Sequence, residues 1–187
     1  MMMAGYPLML SGRRFVCVGF LAGTVFLSCT RELYLEFIPA AYLLVFLLLI
    51  SAYDVIYGLI FNRLLLFMGC FALLFAAEKG TEHLASAMIG AVFGFLLFFV
   101  LRVLSHNGIG GGDVKLAFVL GLWLGLRGAL LAFFLAFCLG GVTAVVLLVF
   151  RQAKAGEKIA FGPFLAFGAY VSLLYGQLLF RWYEEML

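Results

Sequence analysis

Runs of about 20 apolar residues, the length a helix needs to cross a bilayer, recur along almost the whole chain with only short polar stretches between them. They do not alternate apolar with polar. Of the 187 residues 67% are hydrophobic and 11% charged, with a mean hydropathy of +1.22. That is far more apolar surface than a soluble domain of this length needs for its core, so lipid is the main solvent and the first partner. Inside hydrocarbon each backbone polar group must be paired within the protein, which leaves helices or a closed barrel, and unalternating runs rule against barrel strands. The expected fold class is all-α: a polytopic helical membrane protein with seven spans near 14–30, 37–56, 62–77, 84–104, 113–126, 128–150 and 159–180. Only Arg127 and Gly128 separate the fifth from the sixth, so one kinked helix, for a total of six, is the alternative. No repeat, low-complexity stretch or long linker divides the chain, and residues 1–187 read as a single integral membrane domain.

Charge speaks about orientation. Lys and Arg are retained on the cytoplasmic side during insertion. With the N-terminus inside, Arg13, Arg14, Arg63, Arg102, Lys115, Arg151, Lys154 and Lys158 share that side. Arg31, Lys79, Arg127 and Arg181 fall outside, with Glu32, Glu36, Glu78, Glu82, Glu184 and Glu185. The net charge of +3 is scattered, without the basic stripe that nucleic acid requires, so no nucleic-acid partner is expected. Cys17, Cys29, Cys70 and Cys138 form no C-x-x-C pair and read as packing residues. The first apolar run follows Arg13 and Arg14 without a clear small-x-small cleavage site, and is expected to be a retained helix.

The chain has two aspartates, Asp54 and Asp113, and this topology brings both to cytoplasmic helix ends although 59 positions separate them. An ionisable residue in a membrane helix costs roughly 2.5–3.5 kcal/mol at the bilayer centre and less near the interface. One such Asp is as readily an interfacial anchor as a functional group. Two brought together in a partly dry site share a proton, and so present one acid and one base. The base activates water and the acid polarises a carbonyl, which is the chemistry of peptide hydrolysis without metal, serine or cysteine. His83 and His106 lie on opposite faces, so a triad or a His-rich metal site lacks parts, and beside the two Asp only Glu157 is offered as a further carboxylate. No metal and no cofactor are expected.

Around the second aspartate the chain reads His106-Asn107-Gly108-Ile109-Gly110-Gly111-Gly112-Asp113-Val114-Lys115-Leu116. Such a glycine loop either admits an extended peptide strand beside the carboxylate or is a plain interhelical turn. Neither phosphate-loop pattern is complete. Gly110-Gly111-Gly112-Asp113 matches the G-x-G-D signature of intramembrane aspartyl proteases, and Gly112 to Leu116 resembles the G-D-x-K-[LF] form of type IV prepilin peptidases. Asp54 to Asn62, Asp-Val-Ile-Tyr-Gly-Leu-Ile-Phe-Asn, is similar to that family's D-x-x-x-x-x-I-P-N segment, with Phe61 in place of proline. Ile159 to Phe164 resembles its I-P-F-G-P-F helix start, with Ala160 in place of the first proline. The resemblance covers approximately residues 40–175.

This resemblance implies an aspartyl endopeptidase of the cytoplasmic (inner) membrane, with Asp54 and Asp113 catalytic. It would cut the basic leader from type IV prepilin or pseudopilin precursors on the cytoplasmic side. Longer prepilin peptidases carry a zinc-binding insert with paired C-x-x-C motifs after the first helix and also N-methylate the new terminus. Here Thr30 to Glu36 is too short for that insert, so methylation stays open. Among residues that shape the site or bind substrate, Gly110, Gly111 and Gly112 would line it. Lys115 either favours an ionised Asp113 or is a topology anchor, and Asn62 either hydrogen-bonds in the site or caps the next helix. Gly162 and Pro163 shape the start of the last helix. A presenilin or signal-peptide-peptidase type enzyme would share G-x-G-D and Tyr53-Asp54, but the Pro-Ala-Leu motif of that group is missing. A carrier using the two Asp for protons or cations, and a catalytically silent pilin chaperone, are the non-enzymatic readings.

Overall fold

A helix in lipid keeps its own backbone bonds, so what a sequence must specify is where each helix stops and how closely two may approach. The computed structural model describes residues 37–105, 108–150 and 160–186. The predicted helix at 14–30, the loop positions His106 and Asn107, and Arg151, Lys154, Glu157, Lys158 and Ile159 lie outside the described residues. Within them the chain is α1 (Phe37–Tyr57), α2 (Asn62–Glu78), α3 (Thr81–Leu104), α4 (Gly111–Val149) and α5 (Gly162–Met186), with no strand. Four of these, α1, α3, α4 and α5, are long and apolar enough to cross a membrane. The protein is a polytopic helical membrane protein.

Each stop has a local cause. Gly58, at φ 64°, takes the left-handed conformation after α1, and its N–H donates to the Asp54 carbonyl at 2.9 Å. Gly80 turns the chain from α2 into α3 at φ 105°, again a region that favours glycine.

The longest helix is not straight. Gly125 breaks α4 with φ 66° and ψ −178°. A Cβ placed on Gly94 would lie 2.5 Å from the Ala117 carbonyl oxygen and 3.0 Å from the Phe133 ring. A straight helix would hold residues 117 and 133 about 24 Å apart. The Phe98 ring lies 5.2 Å from that of Phe133 and 5.4 Å from that of Phe137, centroid to centroid. The arm 111–124 therefore runs antiparallel to α3, and the arm 126–149 returns alongside it. The sequence expectation of two helices here holds, with the break at Gly125 rather than at Arg127 and Gly128. Among the described residues six helical segments thus alternate in direction.

Small residues let these segments touch backbone to backbone. A Cβ on Gly90 would meet the Gly125 carbonyl carbon at 2.6 Å and the Gly121 oxygen at 2.7 Å, and Gly168 abuts the Ala132 carbonyl. Ser172 Oγ donates to the Gly128 carbonyl at 2.7 Å, joining α5 to the returning arm of α4. Leu43, Leu47, Phe98, Leu116, Leu120, Phe133, Leu165 and Tyr170 fill the interior, while the apolar side chains exposed around the perimeter face lipid. Backbone atoms cannot step aside as a flexible side chain can, so Gly90→Leu or Gly121→Leu is expected to pry α3 from α4. The expected cost is at least about 1–3 kcal/mol, read as a lowered thermal midpoint of the purified protein.

The two ends of the bundle differ. One gathers the end of α1, the starts of α2, α4 and α5, and the end of α3, and carries Asp54, Arg63, Arg102, Asp113 and Lys115. The other carries Glu78, Lys79, Glu82, Arg127, Arg181, Glu184 and Glu185, with an exposed Arg127–Glu184 ion pair at 3.5 Å.

Candidate active site

Both aspartates are buried, 7% exposed for Asp54 and 8% for Asp113, at a bundle end that is otherwise partly open. They come from helices whose backbones do not lie against each other: α1 packs on α5 and α2, whereas α4 packs on α3, α5 and α2. Both nonetheless lie at the same end of the bundle.

Each is held by one backbone N–H. At the start of α5, Phe161 precedes the first turn and its carbonyl accepts from the Phe164 and Leu165 N–H groups. Gly162 is then one of the first helical residues, whose N–H groups have no partner inside the helix. Its N–H donates to Asp54 Oδ2 at 2.9 Å across a sequence separation of 108. The positive end of the helix dipole favours a carboxylate there. A Cβ on Gly162 would lie 2.6 Å from that oxygen, so the approach requires glycine. Pro163, buried in the same first turn, gives up an N–H that the helix would not use.

Asp113 sits in the first turn of α4 and reaches back so that Oδ2 accepts from the Gly110 N–H at 3.2 Å, in the manner of a capping box. Its Oδ1 is buried and has no hydrogen-bond partner among the described residues. A buried oxygen of that kind is costly unless a proton or a further donor meets it. Among the described residues no group of three or more His, Cys, Asp or Glu is gathered that would hold a metal ion.

The other expected site residues divide. Gly110, Gly111 and Gly112 line the approach to Asp113: a Cβ would meet Asp113 Oδ2 at 3.0 Å from Gly110, the Arg102 guanidinium at 2.6 Å from Gly111, and Ile60 Cβ at 2.9 Å from Gly112. Lys115 and Asn62 engage each other, with Lys115 Nζ donating to Asn62 Oδ1 at 2.9 Å. Asn62 is therefore not the cap of α2. Phe61 occupies that position without a side-chain bond. The Phe61 backbone, at φ −72°, is one that proline also adopts, and its ring packs edge-on to Tyr53 at 5.0 Å.

Three residues earn a place that sequence reasoning did not give them. Ile60 carries the α1–α2 linker onto Gly112, and Arg102 lies over Gly111. Phe161 packs against Phe98 at 6.0 Å and Phe137 at 5.3 Å, fixing the start of α5. Its position inside the Ala-Phe-Gly-Pro-Phe segment was the available signal.

Compared with known proteins, residues 41–145, which include both aspartates and the glycine loop, match the type IV leader peptidase family. The chain belongs to that family. A relative from Bacillus subtilis (strain 168), named prepilin leader peptidase/N-methyltransferase, is 32% identical over 153 residues, covering 81% of this chain and 61% of its own length. Proteins of the same name from Pseudomonas aeruginosa and Neisseria gonorrhoeae are 36% and 38% identical over 107 and 104 residues. Those stretches are 54% and 53% of this chain and 37% and 35% of the relatives. The chain thus spans about a third to three fifths of the length of these curated relatives. No solved structure matches it.

Proposed function

We propose that the protein is an aspartyl endopeptidase that removes the basic leader from type IV pilin-like precursors, working at the cytoplasmic face of the inner membrane. The observation that carries this reading is the pair of buried carboxylates, Asp54 and Asp113, at one end of the bundle, each accepting a backbone N–H. Membership of the leader peptidase family and the names of the relatives support the substrate class. Arg63, Arg102 and Lys115 at the same end support a cytoplasmic site.

Two carboxylates in such a pocket hold one proton between them. The ionised one takes a proton from water as the water oxygen bonds to the scissile carbonyl carbon. The protonated one donates to the carbonyl oxygen. Collapse of the tetrahedral intermediate breaks the C–N bond and delivers a proton to the leaving amine, and the pair is restored. The open backbone around Gly110 to Gly112 gives an extended substrate strand room beside Asp113. A proton or cation carrier would want acidic groups midway through the membrane, whereas both aspartates sit in terminal turns.

The test is incubation of the purified protein in lipid with a pilin-like precursor, read by mass spectrometry. One cut that releases the basic leader is expected. A precursor left whole under conditions where a curated family relative cuts it would overturn the reading.

A further inference from the structure

We propose that Lys115 and Asn62 form a latch that sets the separation of the two aspartates, tying the start of α2, which the linker from Asp54 leads into, to the first turns of α4. The inference rests on the two-aspartate reading above.

Because α1 and α4 lack backbone contact, nothing in their own packing fixes how far apart Asp54 and Asp113 stand. Ties at each end of the gap must do so. At the far end Tyr42 of α1 stacks on Trp123 of α4 at 5.8 Å, and Trp123 Nε1 donates to the Met68 carbonyl of α2 at 3.0 Å. At the aspartate end α5 touches both helices, and its Gly162 N–H bonds Asp54. A further link runs through the short linker after α1. Ile60 rests on Gly112, immediately before Asp113. Two residues later Asn62 accepts from Lys115, two residues after Asp113, at 2.9 Å. Ile60 supplies contact without direction, whereas the ammonium–amide bond fixes both distance and register. The bond is exposed, so its contribution to global stability is small, and its loss is felt as a change in spacing rather than as unfolding. Lys115 and Asn62 are positioning residues in this account. Neither touches substrate.

The experiment pairs kinetics with a distance. In a background with the four native cysteines replaced, nitroxides on Leu59→Cys in the linker and Leu104→Cys at the end of α3 report the linker against the helix on which α4 packs most closely. The parent is expected to give one narrow distance by pulsed electron resonance. Asn62→Ala and Lys115→Ala should each broaden it and lower kcat about tenfold with little change in KM, because a misplaced carboxylate slows chemistry more than binding. The double variant should be no worse than either single one, and Asn62→Asp, which keeps an acceptor, should restore both readouts. Narrow distances and parental kcat in the alanine variants would overturn the latch, as would losses that multiply in the double variant. If the parent cuts no precursor the proposed function fails, while the distance measurement still decides the latch.

Discussion

Gly162→Ala is expected to lower kcat for leader release about 100-fold, the cost of a reacting group displaced by roughly 1 Å. The added methyl would sit 2.6 Å from Asp54 Oδ2 and 3.1 Å from its Cγ, so one of the two must yield. The start of α5 cannot retreat easily, because the Phe161 ring is packed against Phe98 and Phe137 and lies so near Gly140 that a Cβ there would be 2.8 Å from it. Asp54 therefore rotates and loses the 2.9 Å bond from the Gly162 N–H. Alanine itself suits a helix, so the thermal midpoint should fall only modestly. Gly141→Ala is the matched control: among the described residues its added Cβ meets nothing within 4 Å beyond its own stretch of helix, and parental activity and stability are expected. Steady-state kinetics beside thermal unfolding of both variants checks this. Parental kcat in Gly162→Ala would mean that Asp54 is not held where the reaction needs it.

What the sequence made legible follows from what each signal depends on. Run length alone locates the helices from 37 onward to within about three residues, because in lipid nothing else competes to place them, except that α5 runs on to Met186, six residues past its expected end. The aspartate pair was visible since a chain with two Asp has few ways to assemble a carboxylate site. Gly125 was not: flanked by leucines, it reads as one more apolar position, and only its left-handed backbone reveals the turn. For Asn62 the sequence leaves a site hydrogen bond and a helix cap both open, because capping is decided by neighbours along the chain whereas its partner, Lys115, is 53 residues away. The same holds for Gly162, recognised as a motif residue whose task, an N–H offered to Asp54, only the fold assigns.

The measurement that bears most directly on the central claim is leader release by the parent, Asp54→Asn and Asp113→Asn side by side, each shown to fold by its thermal midpoint. Asparagine keeps the size and the oxygen that accepts from Gly162 or Gly110, so packing survives. It can neither take nor give the proton that hydrolysis needs. General acid–base catalysis contributes about 100- to 10,000-fold, and in the proposed mechanism each carboxylate serves both steps, so a loss of at least about 1,000-fold is expected for either variant. Asp113 Oδ1, without a partner among the described residues, makes that position the sharper probe, since an amide there removes the proton site without adding bulk. Two folded, inactive variants beside an active parent is the predicted result, and a folded variant of either aspartate that cuts at the parental rate would contradict the account.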